Sequence, residues 1–154
     1  MNWYKQAVNI VPFSLEDDID IDLDEDIYDL ADQADKVFED SGVRPDSTKD
    51  LSHLAIEDGR VIGAISSGWG NEDDVSVFSF DISVLPEFRG KGLVGIKLIK
   101  EAIEYYESFS SQYDMKTMMR LWVINPRLVH VLEDRFGFDI ESTNSDGSAH
   151  MVRY

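Results

Sequence analysis

The chain is 154 residues long and 43% hydrophobic, with 31 Asp and Glu against 14 Lys and Arg and a formal net charge of −17. That length supports one domain with a full core, expected over residues 1–154, and a pI near 4.3 argues against nucleic-acid binding, which needs Lys/Arg patches to release counterions. No apolar run approaches bilayer thickness, MNWYKQAVNI lacks a signal-peptide core, and cysteine is absent, so membrane anchoring, disulfides and thiolate chemistry drop out and a cytoplasmic location is expected.

Residues 7–12 suit a short strand, although MNWYKQA equally suits a helical turn. Residues 24–40 predict a helix: Ile27, Leu30, Ala31, Ala34, Val37 and Phe38 share one face, Asp24 can cap it and Gly42 can end it. The acids Asp24, Glu25 and Asp26 also suit the positive end of the helix dipole. Thirteen Asp and Glu lie in residues 16–40 against the single Lys36, so twelve of the seventeen net negative charges sit there. Such a segment is either a wall that attracts a cation or a solvated helix surface. Within it, Asp18, Asp20, Asp22 and Asp24 alternate like the ligands of a calcium loop, but Leu23 stands where the turn glycine belongs and Asp29 where the last glutamate belongs. No metal is expected.

Residues 51–57 and 60–67 predict two strands joined by Asp58-Gly59, a two-residue hairpin signal. The run VSVFSFDISV, residues 75–84, predicts the next strand, and Ile96, Ile99, Ile103 and Tyr106 mark a following helix at helical spacing. A further strand is expected at 117–123 and a helix at 126–136, where Asn125 can cap, Pro126 suits the first turn, Leu128, Val131 and Leu132 form one face and Gly137 ends it. Residues 139–142 and 149–154 complete the order as a strand pair around Asn144, Ser145, Asp146 and Gly147.

Between the strand at 75–84 and its helix lies Pro86-Glu87-Phe88-Arg89-Gly90-Lys91-Gly92-Leu93-Val94-Gly95. Glycines let backbone approach a ligand closely, and the N–H groups at a helix start face outward, so with Arg89 and Lys91 this turn suits an anionic phosphate. Two common phosphate signatures do not fit. No Gly-Lys-Ser/Thr occurs in the chain, and although Gly90, Gly92 and Gly95 have dinucleotide-loop spacing, no acidic ribose reader follows on a second parallel strand.

The turn does resemble the pyrophosphate loop of the GNAT superfamily of N-acetyltransferases, Arg/Gln-x-x-Gly-x-Gly/Ala, with Arg89 and Gly92 at the first two positions, Val94 at the third and Gly95 one later. A second resemblance to that family is VINPRLVHVLEDRFGFDI, residues 123–140, where a strand ends in Asn-Pro-Arg and a short helix leads to Gly-Phe. The family resemblance implies an α/β (α+β) fold with a mixed, mostly antiparallel central sheet, helices on both faces, and a splay between the fourth and fifth strands. It implies acetyl-CoA as co-substrate. Ile82, Val84 and Leu85 would then hold the pantetheine, the amides of Arg89, Gly90, Lys91, Gly92, Leu93, Val94 and Gly95 the pyrophosphate, and Asn125 would lie on the other side of the pantetheine arm. The activity implied is acetyl transfer to a primary amine by direct attack on the thioester. Because the segment around the first helix walls the acceptor side in that family, its acidity points to a cationic acceptor, small molecule or peptide: a polyamine, a lysine, a basic N-terminus or an aminoglycoside. The chain is expected to act as a monomer or a homodimer.

An ammonium must lose a proton before it attacks, so a base is needed. Asp81, an acid inside VFSFDISV, is the candidate, and its alternative role is a paired strand residue; His53 and His150 are further candidates on titration range. The family's usual general acid is a tyrosine seven residues after the asparagine, where this chain has Leu132. Helical spacing sends His130 and Glu133 in other directions, so neither replaces it. Loss of that acid slows acetyl transfer without forbidding it, and a CoA-binding homologue with weak or no catalysis is one alternative. The other is a non-enzymatic acidic protein that binds a basic partner, which has no use for Arg89 and Gly92 in a phosphate loop.

Overall fold

The computed structural model describes residues 8–13, 24–41, 49–89, 94–112, 116–123 and 126–154, with backbone only at 24–27 and 41. In chain order the elements are β1 (Asn9–Pro12), α1 (Asp24–Ser41), β2 (Asp50–Glu57), β3 (Arg60–Glu72), β4 (Val75–Val84), a 3-10 turn (Pro86–Phe88), α2 (Val94–Ser110), β5 (Thr117–Val123), α3 (Pro126–Phe136), β6 (Asp139–Thr143) and β7 (Ala149–Arg153). The strands form one seven-stranded sheet in the order β1-β2-β3-β4-β5-β7-β6. Among the described residues its neighbours pair antiparallel except β4 with β5, which run parallel and are bridged by α2.

Residues 9–12 form a strand rather than a helical turn, and its Pro12, which has no N–H to give to a ladder, sits on an edge strand. The strand expected at 60–67 runs on to Glu72 and turns at Asp73-Asp74. Both turn residues have positive φ, 47° and 67°, as do Asp58 and Gly59 at 53° and 74°, so both hairpins close through the primed turn that matches strand twist. The helix after the loop extends to Ser110, beyond Tyr106, because Tyr106 and Phe109 both pack on Trp69.

Side chains alternate across β4, and the two faces carry different helices. Ser83 Oγ donates to the Val37 carbonyl of α1. On the opposite face, a Cβ placed on Gly95 of α2 would lie 3.8 Å from Val84 Cγ2, and one on Gly63, the β3 partner of Val84, would lie 3.0 Å from Leu98 Cδ1 and 3.3 Å from Val94 Cγ1. α1 therefore covers one face of β3 and β4, α2 lies on the other, and α3 packs on β5 and β7. The main core sits under α2 and α3, where Phe78, Phe80, Leu98, Ile99, Met119, Leu121, Leu132, Phe138 and Met151 are all buried. Each contributes about 1.5–3 kcal/mol through burial. This core forces β4 and β5 together at Phe78 and Met119, and what happens beyond that point makes the site.

Candidate active site

The β4–β5 ladder runs from Ser76 opposite Thr117 to Phe80 opposite Leu121 and then stops, although β4 continues to Val84 and β5 to Val123. A wedge opens between two strands of one sheet. The β3–β4 ladder fixes which backbone groups line it. The Leu85 N–H donates to the Ile62 carbonyl at 2.9 Å, and the register places Gly63 opposite Val84. Antiparallel pairs alternate between bonded and non-bonded, so Ile82 and Val84 turn their N–H and C=O groups away from β3 and into the wedge. Arg89 uses one of these: its Nε donates to the Val84 carbonyl at 3.0 Å.

Beside the wedge, on the face that α1 covers, lies a cavity of about 420 Å³ lined by Lys49, Ser79, Phe80, Asp81, Arg120, Trp122 and His150. Its floor is the sheet itself, since Ser79 and Asp81 alternate on β4 and Arg120 and Trp122 on β5. Asp81 is only 7% exposed and is the first β4 residue past the ladder's end. Its Oδ2 accepts a hydrogen bond from Lys49 Nζ at 3.0 Å, in an ion pair largely withdrawn from water. Across the cavity the Trp122 and His150 rings stack at 6.2 Å and 17°, and Trp122 keeps 40% of its surface exposed.

Arg120 is paired with two carboxylates, Nη1 lying 2.6 Å from Glu72 of β3 and Nη2 3.6 Å from Glu141 of β6. The hydrogen bond from Arg120 holds the exposed Glu72 carboxyl below its ordinary range, and the same bond strengthens the guanidinium's hold on its proton. Arg120 Nε is buried and has no partner among the described residues. The cavity thus offers a carboxylate, an imidazole and an aromatic wall.

Of the residues singled out from the sequence, Asp81 and His150 share this cavity, and Ile82 and Val84 present backbone to the adjoining wedge. His53 lies elsewhere. It is buried on the α2 face beside Tyr105, with its Nδ1 3.2 Å from Ser52 Oγ, and burial holds its imidazole below its ordinary pKa. Leu85 is buried and its N–H is taken by β3. Arg89 is exposed at the end of the 3-10 turn, and Val94 and Gly95 open α2 with Val94 buried. Gly90, Lys91, Gly92, Leu93 and Asn125 lie outside the described residues, as do Gly42, Asp18, Asp20 and Asp22. Leu132 is fully buried in the core, while His130 and Glu133 are exposed.

Lys49, Ser79, Arg120 and Trp122 were not anticipated. Arg120 and Trp122 carried a signal: in Met119-Arg120-Leu121-Trp122-Val123 they occupy one face of a strand whose other face is pure core. Lys49 carried none, since only the fold brings it to Asp81. Among the described residues no group of three or more His, Asp or Glu is placed to hold a metal ion, and no helix is long and apolar enough to cross a membrane.

Comparison with known proteins gives the same architecture. The model of the acetyltransferase (GNAT) family matches residues 16–138. No curated protein sequence matches. Among solved structures, Escherichia coli ElaA is similar with a TM-score of 0.62 at 14% identity, over 96% of this chain and 99% of its own. The putative acetyltransferase yncA of Salmonella typhimurium, solved with acetyl-CoA, has a TM-score of 0.61 at 17% identity over 96% of this chain and 93% of its own. Arabidopsis thaliana NAA60, also solved with acetyl-CoA, has a TM-score of 0.59 at 15% identity over 96% and 99%.

Proposed function

The chain belongs to the GNAT acetyltransferase family, and on that premise we propose that it transfers an acetyl group from acetyl-CoA to a primary amine that enters the cavity beside Asp81. The observation that carries this is the end of the β4–β5 ladder at Phe80 and Leu121, with Asp81 as the next residue on β4. A wedge lined by backbone donors and acceptors meets a cavity holding a buried carboxylate. Two neighbours of the same fold were solved with acetyl-CoA, and the residues here fit that group. Ile82 and Val84 offer amides to the pantetheine, while Arg89 and the amides of Gly90, Lys91, Gly92, Leu93, Val94 and Gly95 take the pyrophosphate at a helix start. Leu85 is buried behind this strip, and Asn125, which follows β5 in the sequence, is assigned to the pantetheine arm. When bound, acetyl-CoA supplies the activated acyl group.

The protein's own residues prepare the amine. Asp81, directly or through a water, takes a proton from the incoming ammonium, and His150 beside Trp122 is a second acceptor within the same cavity. A carboxylate facing an indole ring suits a cation, since the ring's negative face attracts positive charge. The exposed acids of α1, including Asp29, Asp32, Asp35, Glu39 and Asp40, add a field of the same preference. The acceptor is thus cationic: a polyamine, a lysine side chain, a basic N-terminus or an aminoglycoside. Residues 1–154 act as one domain in the cytoplasm, as a monomer or a homodimer.

Leu132 favours one second reading, a CoA-binding homologue with weak catalysis, because a leucine packed in the core has no proton to give at that position. A single set of samples separates the two. Thermal unfolding is followed with acetyl-CoA, and the same mixtures are analysed by mass spectrometry for acetylated members of a panel of amines and basic peptides. At 100 times Kd a ligand stabilises by about 2.7 kcal/mol, several degrees for a chain of this size. A shift with acetylated cations supports the enzyme, a shift without product the weak homologue, and no shift with any acyl-CoA sinks the assignment.

A further inference from the structure

The cavity already contains an amine. Lys49 Nζ sits 3.0 Å from Asp81 Oδ2, its side chain 16% exposed, at the position an acceptor ammonium would take against the same carboxylate. Asp81 is the first residue of β4 beyond the Phe80–Leu121 pair, so this lysine stands at the mouth of the wedge rather than on the surface. Three things that acetyl transfer requires of an acceptor meet here: a primary amine, a carboxylate in hydrogen-bond contact with it, and the adjoining gap between β4 and β5 beyond Phe80 and Leu121, where the proposed function puts the thioester.

We propose that Lys49 is an acetyl acceptor in cis, so that the protein acetylates its own Lys49 when acetyl-CoA is bound and no external amine has displaced the lysine from Asp81. This rests on the cavity being the acceptor site. In the step, the Nζ ammonium gives one proton to Asp81, its freed lone pair forms the N–C bond to the acetyl carbonyl, the nitrogen gives a second proton to water as the C–S bond breaks, and CoA leaves as the thiolate. The thiolate is protonated by Asp81 or water; the products are N-acetyl-Lys49 and CoA. Acetylation removes the lysine's charge and with it the ion pair, and leaves an amide in the cavity where substrate enters. An external cation competes with Lys49 for Asp81 and so protects it.

Chemical acetylation by acetyl-CoA in solution has the opposite preference, since it takes accessible amines first. Lys97, Lys100 and Lys116 are exposed and serve as internal controls. The purified chain is incubated with acetyl-CoA, sampled over time, digested and mapped by mass spectrometry, while acetyl-CoA binding is followed by thermal shift in parallel. Lys49 is expected to be modified at least tenfold faster than the three exposed lysines, with a first-order rate independent of protein concentration and slowed by spermidine. Asp81→Asn is expected to slow it by roughly 10²-fold or more while the acetyl-CoA shift persists. Lys49→Arg is expected to keep the shift and lose the fast acetylation, whatever becomes of the Asp81 variant. A thermal shift with Lys49 modified no faster than the exposed lysines overturns this proposal and leaves the proposed function standing. Absence of the shift overturns both.

Discussion

Asp81 and Lys49 are both charged and both withdrawn from water, so neutralising one leaves the other without its partner. A buried carboxylate that only served the fold would cost stability when replaced and nothing else. Asp81→Asn keeps the shape and an acceptor oxygen while removing the proton acceptor. It should lower kcat/KM for a polyamine by roughly 10²- to 10⁴-fold with the acetyl-CoA thermal shift preserved; steady-state rates that stay within threefold of the parent would reassign Asp81 to structure. His53 makes a different prediction. Burial holds its pKa below the ordinary 6.5, so near and below that pH the unfolded chain binds the extra proton and the folded chain does not. Stability from keeping His53 neutral is present above pH 6.5 and is lost as pH falls through the lowered folded value. In urea titrations from pH 7.5 to 5.5, the parent should therefore lose stability relative to His53→Gln. A difference that is flat with pH would mean the buried imidazole is not the titrating group.

Gly63 shows how elements place the site. A Cβ there would meet Leu98 Cδ1 at 3.0 Å, the Ser83 carbonyl at 3.2 Å and Val94 Cγ1 at 3.3 Å, and the carbonyl belongs to a strand held on β3. Gly63→Ala requires the Leu98 and Val94 methyls and the Ser83 carbonyl to give by a few tenths of an ångström, at the end of α2 proposed to receive the phosphates. It should cost about 1–3 kcal/mol and weaken acetyl-CoA binding, whereas Gly70→Ala, with nothing within 4 Å, should do neither; denaturant midpoints and thermal shifts of the two variants make the comparison. The same element explains what was legible in the sequence. The alternation in VSVFSFDISV and the helical spacing of Ile99, Ile103 and Tyr106 reflect burial in the core, so strand and helix were readable, although the buried face of α2 is completed by Val94, Leu98 and Ala102 and leaves Ile96 outside it. Asp73-Asp74 was not, because its positive φ values come from the pull of the β3–β4 ladder, and neither residue is a glycine that would advertise them. Asp81 stood out as an acid among core residues. Its partner Lys49, 32 positions away, was invisible because chain-distant pairing is set by β2 and β3, not by local pattern.

Taken whole, the protein carries −17 with twelve of those charges in residues 16–40, and this field acts on its two substrates with opposite sign. With the proposed cationic acceptor, a polyamine would be drawn in. Acetyl-CoA, with its phosphates, would be repelled by the molecule at large and, on the proposed site, held by local groups such as Arg89. Around 0.1 M salt the Debye length is about 10 Å, so raising ionic strength strips away the long-range part of both effects while leaving the 3.0 Å contact at Asp81 less affected. Between roughly 20 mM and 500 mM NaCl, KM for a polyamine should rise several-fold and KM for acetyl-CoA should fall or hold, since screening removes attraction in one case and repulsion in the other. General salt inhibition moves both constants the same way. The discriminating measurement is thus the pair of KM values across one salt series, and a parallel rise in both would show that the acidic segment is solvated surface with no part in acceptor capture.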